Sequence, residues 1–203
     1  MGANSAMLVY VDSSALDVLR SYPILDKPAT RALAERLFPD ATIEEIGDEL
    51  LVDAVNPPDD LAYIGCFPNL DLVCSWRLMP DRPSKVEQFL LAATDRRVVQ
   101  LLAVHGDADW CTYGVWQDGE LTRGLSVCPD PGVIEDIGEH LSFERPFWAG
   151  EHPAEDEGYT LPFHPLELGE AALRTLFGIV LDGGENLDDV DPELIPVVGY
   201  RIT

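Results

Sequence analysis

Basic residues are scarce in this chain: 13 lysines and arginines stand against 37 aspartates and glutamates among 203 residues, a formal net charge of −24. Lysine occurs only at Lys27 and Lys85, and Arg96-Arg97 is the one adjacent basic pair. A field of this sign repels a phosphate backbone and an anionic lipid surface, which argues against direct nucleic-acid or membrane binding. No apolar run approaches the ~20 residues that a membrane-spanning helix needs. No basic stretch precedes Met7–Val11 and Asp12 follows at once, so the opening does not read as a signal peptide and a cytoplasmic location is expected. The four cysteines, Cys66, Cys74, Cys111 and Cys128, form no CxxC pair and read as reduced core thiols, since a chain of this length needs no staples. The dinucleotide-binding glycine motif, the phosphate-binding loop, HExxH and a complete EF-hand loop are all missing. Gly124-Leu-Ser126-Val-Cys128 falls one residue short of a nucleophile elbow and lies in a strand, where that chemistry has no strained turn to use.

The apolar content is ordinary for a globular protein, at 46%, which excludes disorder of the whole chain despite its charge. The length fits a single domain. Met7–Val11 is a continuous apolar run suited to a strand buried on both faces. Ser14 with Asp17 three residues later marks the start of a short helix that ends before Pro23. Pro28 opens a second helix that Pro39 stops, with Leu33, Ala34 and Leu37 on one face. Residues 42–46 and 49–55 read as a hairpin turning at Gly47-Asp48, and Leu61–Phe67 and Leu70–Trp76 as two further strands. A third helix is expected over Pro83–Thr94, a buried strand over Val98–Val104, and a hairpin over Trp110–Val127 that turns at Asp118-Gly119. Residues 129–168 are rich in proline and read as a long irregular connection, with Phe143, Phe147, Trp148, Tyr159 and Phe163 available to pin it down. A helix over Gly169–Leu181 ended by Gly183-Gly184, a solvated acidic loop over Asp182–Glu193 and a strand over Pro196–Ile202 complete the chain. The fold class expected is α+β: one mixed or mostly antiparallel sheet, about four helices and the long connection at 129–168.

Three groups of residues carry the chemistry that could be expected. His105, Asp107 and Asp109 would share one face of an extended chain, and a histidine with two carboxylates suits a divalent metal. The plainer reading is a turn, where aspartate serves the backbone. His140, His152 and His164 recur at twelve-residue intervals among Glu139, Glu144, Glu151, Glu155 and Glu167, a mixture that zinc, iron or manganese would accept. Equal spacing on an irregular loop does not by itself bring them together. Arg145, Phe147 and Trp148 have the composition of an interface hot spot, although the two rings also suit a loop anchor.

The segments Gly114–Leu121, Gly138–Gly150 and Leu161–Glu170, with the opening Met1–Tyr10, resemble a family of actinobacterial proteins built on a domain of unknown function. The likeness covers nearly the whole chain and implies a soluble bacterial protein; it assigns no catalytic residue. The leading expectation is a small cytoplasmic binding or regulatory protein, immunity-like, whose acidic surface engages a basic protein partner without any resident cofactor. The alternative is a metal-dependent hydrolase using the histidines and carboxylates near His105 and in 140–164, and a weaker one is mimicry of nucleic acid. Oligomeric state is not legible.

Overall fold

A computed structural model describes residues 4–154, 160–181 and 188–203. The strands are β1 (Ser5–Val11), β2 (Ile43–Leu50), β3 (Leu61–Phe67), β4 (Leu70–Cys74), β5 (Val98–His105), β6 (Trp110–Gln117), β7 (Glu120–Cys128), β8 (Gly132–Ile137) and β9 (Pro196–Ile202). They form one nine-stranded open sheet in the order β2-β9-β3-β4-β1-β5-β6-β7-β8. Every pairing within it is antiparallel; one isolated parallel bridge joins Ile179 to Val190. The fold is therefore α+β, as expected.

The uninterrupted apolar run of β1 has a direct cause. Met7, Val9 and Val11 pack on one face of the sheet, Leu8 and Tyr10 on the other, so neither face can be polar. The helices are α1 (Ala15–Arg20), α2 (Lys27–Leu37), α3 (Leu51–Ala54), α4 (Gln88–Leu91), α5 (Arg145–Trp148) and α6 (Pro165–Phe177). Helices α1, α3, α5 and α6 share the first face; α2 and the 76–93 segment cover the second. Ser14 caps α1 by accepting from the Asp17 N–H, and Asp26 caps α2 by accepting from the Ala29 N–H. The hairpin of β6 and β7 turns at Asp118-Gly119, both at positive φ (50° and 83°), as a two-residue turn requires.

Four local expectations are corrected. Residues 42–55 do not fold back as a hairpin: Ile43–Leu50 is one edge strand on β9, and Leu51–Ala54 is a helical turn. Gly47, at φ +121°, serves a bulge between Glu45 and Gly47, not a turn. The helix expected over 83–94 is only a 3-10 turn at Pro83–Lys85 and the single turn α4. Glu135 accepts from both Ser84 N–H and Oγ–H, and Arg82 donates to the Ile134 carbonyl, which ties this segment to β8 instead. Trp76 begins a 3-10 turn after β4, not the end of that strand. Within 129–168 lie β8 and α5, and α6 starts at Pro165 and ends at Gly178, φ +74°, five residues earlier than Gly183-Gly184, which are outside the described residues, like Glu155, Tyr159 and the first half of the acidic loop.

Candidate functional site

The histidines are distributed, each with a separate duty. Gly106–Ala108 is a 3-10 turn and Asp109 is left-handed (φ 46°), so His105, Asp107 and Asp109 do not line one face. His105 meets the edge of Trp76 at 5.7 Å, whose indole N–H donates to Asn56 at 3.0 Å; Asp107 is exposed. His164 caps α6: its Nδ1 accepts from the Leu166 N–H at 3.2 Å, which leaves the proton on Nε2, 3.8 Å from Asp109 Oδ2. His140 lies flat on Trp148 (4.9 Å, 18°) with Nε2 3.5 Å from Asp136, and His152 lies flat on Phe147 (4.3 Å, 18°). Among the described residues no three His, Cys, Asp or Glu side chains are grouped so as to hold a metal ion.

Phe147 and Trp148 both meet the edge of Phe163, at 5.7 and 4.9 Å, so five rings run in the order His140, Trp148, Phe163, Phe147, His152. Phe147 is buried, Trp148 half-buried, and only Arg145 of the three expected interface residues is exposed. Sequence reasoning missed what holds the ladder in place. Arg123 on β7 and Glu144, just before α5, form a bidentate pair at 2.9 and 2.7 Å, and Glu144 also accepts from the Leu141 N–H. Asp136 on β8 takes a third guanidinium N–H at 2.5 Å. Burial opposes the charge on Arg123, yet its bonds to Glu144 and Asp136 hold its pKa above the ordinary guanidinium value. An arginine at an inward strand position is the signal that could have suggested a buried acid opposite.

The free ends of the chain's charge lie elsewhere. Lys27, Arg31, Arg97, Arg174 and Arg201 are each held on carboxylates of the chain, as are Arg96 and Arg123. With 37 acids against 13 bases, most acids have no base of their own to pair with. At the Val11 end of β1, the loop after β1, the α1–α2 link, the β3–β4 turn and the approach to β5 meet. Ile24 protrudes there, 86% exposed, beside Tyr22 at 41%. Shallow grooves flank it, one bounded by Asp17, Tyr22 and Pro68, the other by Asp26, Phe67 and Asp71. The two bases lining the second, Lys27 and Arg96, are held on Asp48 and on Asp12 and Asp71.

The link's backbone is unusual. Tyr22 closes α1 with φ +48°, its N–H donating to the Leu19 carbonyl, where α6 uses Gly178 for the same left-handed step. A side chain there costs about 1–2 kcal/mol relative to the right-handed conformation. The Asp191 N–H donates to the Tyr22 hydroxyl at 3.3 Å, which ties the ring to the Asp191 backbone. No sequence pattern announces this knob.

Among the described residues no helix is long and apolar enough to cross a membrane. No curated protein and no solved structure matches the chain. A family model does match, over residues 5–200, and the chain belongs to that family of unknown function, DUF6928.

Proposed function

We propose that the protein is a binding and regulatory module that engages a basic protein partner, in the manner of an immunity-type inhibitor. Ile24 supplies the apolar anchor, and Asp17 and Asp26, which bound the grooves beside it, meet lysines and arginines of the partner. The single observation that carries this reading is the exposure of Ile24 on a link whose backbone is held in an unfavourable conformation, in a chain of strong acid excess. Strain kept at a surface segment is characteristic of recognition sites, and a desolvated apolar residue ringed by polar groups is how interface hot spots are built. The acid ring steers a basic partner and repels both nucleic acid and a second copy of the chain. A cytoplasmic, actinobacterial setting belongs to the same reading; the preference for Arg over Lys suits a GC-rich source.

The test is native mass spectrometry of the protein isolated gently from its host at low salt. The expected spectrum shows an added mass of kilodaltons that leaves as salt is raised, because exposed charge pairs beyond about 10 Å are screened at 0.1 M. An added mass indifferent to salt, or a partner of acidic composition, overturns the electrostatic reading.

A further inference from the structure

At the opposite strand ends from Ile24, where β1 begins and β4 and β5 finish, lies a groove of about 470 Å³. Its lining is Trp76, His105, Asn4 and residues 56–59. The last of these are drawn to the start of β1 because the Ala6 N–H donates to the Val55 carbonyl at 2.8 Å. Trp76 opens the 3-10 turn after β4 and is half-buried. His105 meets the indole at 63°, and no ring among the described residues is stacked on it. The indole therefore supplies a flat apolar platform wide enough for one six-membered ring. The volume is within the range of small-molecule sites, about 300–1,000 Å³.

The polar groups around the platform decide the chemistry of an occupant. The Asn56 Oδ1 accepts the indole N–H at 3.0 Å, and the Asn4 Oδ1 accepts the Gly106 N–H at 2.6 Å. Each bond fixes its amide plane and leaves the NH2 end to donate elsewhere. The His105 Nδ1 is buried without a partner among the described residues. A proton there would have no acceptor, so it sits on Nε2 and makes that nitrogen a donor. Asp59, exposed, is the one charged side chain of the lining, which includes no lysine or arginine. A phosphate or carboxylate finds no cation here. Neutral hydroxyls find three donors, one carboxylate acceptor and an apolar face.

We propose that this groove is a binding site for a neutral sugar, one pyranose ring with its C–H face on Trp76 and its hydroxyls on Asn4, Asn56, His105 and Asp59. The match follows from the anatomy of such a ring. Its axial C–H groups make one face apolar and slightly positive, which suits the negative face of an indole, while its hydroxyls both donate and accept. The site is distinct from the partner surface and stands without it. The probes are the methyl glycosides of glucose, galactose, mannose and N-acetylglucosamine, each titrated into the full chain and followed by NMR. At least one is expected to move the Trp76 indole N–H and the Asn4 and Asn56 side-chain amides saturably at millimolar concentration. Sorbitol, which has the hydroxyls without the ring face, is expected to bind at least about tenfold more weakly. Trp76→Phe keeps a ring and most of the affinity, read at the Asn4 amide, whereas Trp76→Ala abolishes binding. Asp59→Ala, at an exposed position, weakens binding about tenfold, the equivalent of one charge-assisted hydrogen bond, with Tm unchanged. No saturable shift with any of the glycosides, equal binding of sorbitol, undiminished binding to Trp76→Ala or to Asp59→Ala, or a proline-rich peptide bound more tightly than every glycoside each overturns the proposal. None of these results bears on the partner at Ile24.

Discussion

Replacing Glu144 by Gln removes one charge from a pair that solvent does not reach, since the side chains of Arg123 and Glu144 are 1% and 0% exposed. Gln has the volume of Glu, so packing is kept and only the ion pair is broken. Removing one partner of a buried pair costs about 3–5 kcal/mol, because the remaining charge stays desolvated. Asp136 still contacts Arg123 and is 35% exposed, so part of that charge stays compensated. The expected loss is therefore at the lower end, about 3 kcal/mol. For a chain of this length each kcal/mol lowers Tm by about 2–4 °C, which gives a drop of about 6–12 °C by calorimetry. The loss has a local signature as well. Glu144 positions α5, so the near-ultraviolet signal of Trp148, stacked on His140 and edge-to-face with Phe163, weakens before global unfolding. The double variant Arg123→Met with Glu144→Leu restores most of the stability, as apolar replacements of buried pairs do. A Glu144→Gln protein within about 1 kcal/mol of the parent, a value typical of exposed pairs, refutes the assignment of this pair as the fastening of the aromatic ladder.

Further outcomes follow from the same coordinates of burial and charge. Burial pushes the Cys66, Cys74 and Cys111 thiols well above their ordinary range, and Cys128 is the one half-exposed sulfur; a thiol reagent at neutral pH should label Cys128 first and the rest only on unfolding, and fast labelling of a second site contradicts this. Burial, with Glu45 nearby, raises the Tyr200 hydroxyl to about 12, and burial raises Tyr10 and Tyr113 further. Their folded values lie above the unfolded value of about 10, so the stability they contribute is complete below that pH and falls as pH rises through 12. Absorbance at alkaline pH should show these tyrosines ionising only as the protein unfolds; tyrosinate from them in the native state contradicts the burial. Gly138 has φ +82°, and a Cβ there would overlap the Thr122 carbonyl oxygen, so Gly138→Ala should lose about 1–3 kcal/mol in urea unfolding; a neutral result would mean that the turn after β8 relaxes freely.

What was legible in the sequence was local. The run Met7–Val11, the Ser14 cap, Pro28 in the first turn of α2 and the Asp118-Gly119 turn are physical signals contained within a few residues, and the structure uses each as expected. The 42–55 hairpin was misread because its true partner, β9, lies some 150 residues away in sequence, and a Gly-Asp pair marks a bulge as readily as a turn. The Pro83–Thr94 periodicity failed for a related reason: hydrogen bonds to Ile134 and Glu135 outweighed a modest helical preference. At the candidate sites, residue type misled and geometry corrected. His140 and His152 look like ligands in a list of residues but each lies flat on an aromatic ring; Ile24 carries no signal in the sequence and protrudes.

The central claim, that Ile24 and its acid ring meet a basic protein, is tested most directly by placing a photo-crosslinking amino acid at position 24 in the host. Position 89 serves as the control, since Phe89 is also an exposed apolar residue, at 43%. The account predicts one protein adduct at 24 that is absent at 89, basic in composition, and bound by the Ile24→Ser variant at least about tenfold more weakly with Tm unchanged. The same adducts at both positions, an acidic partner, or full affinity in Ile24→Ser would contradict it.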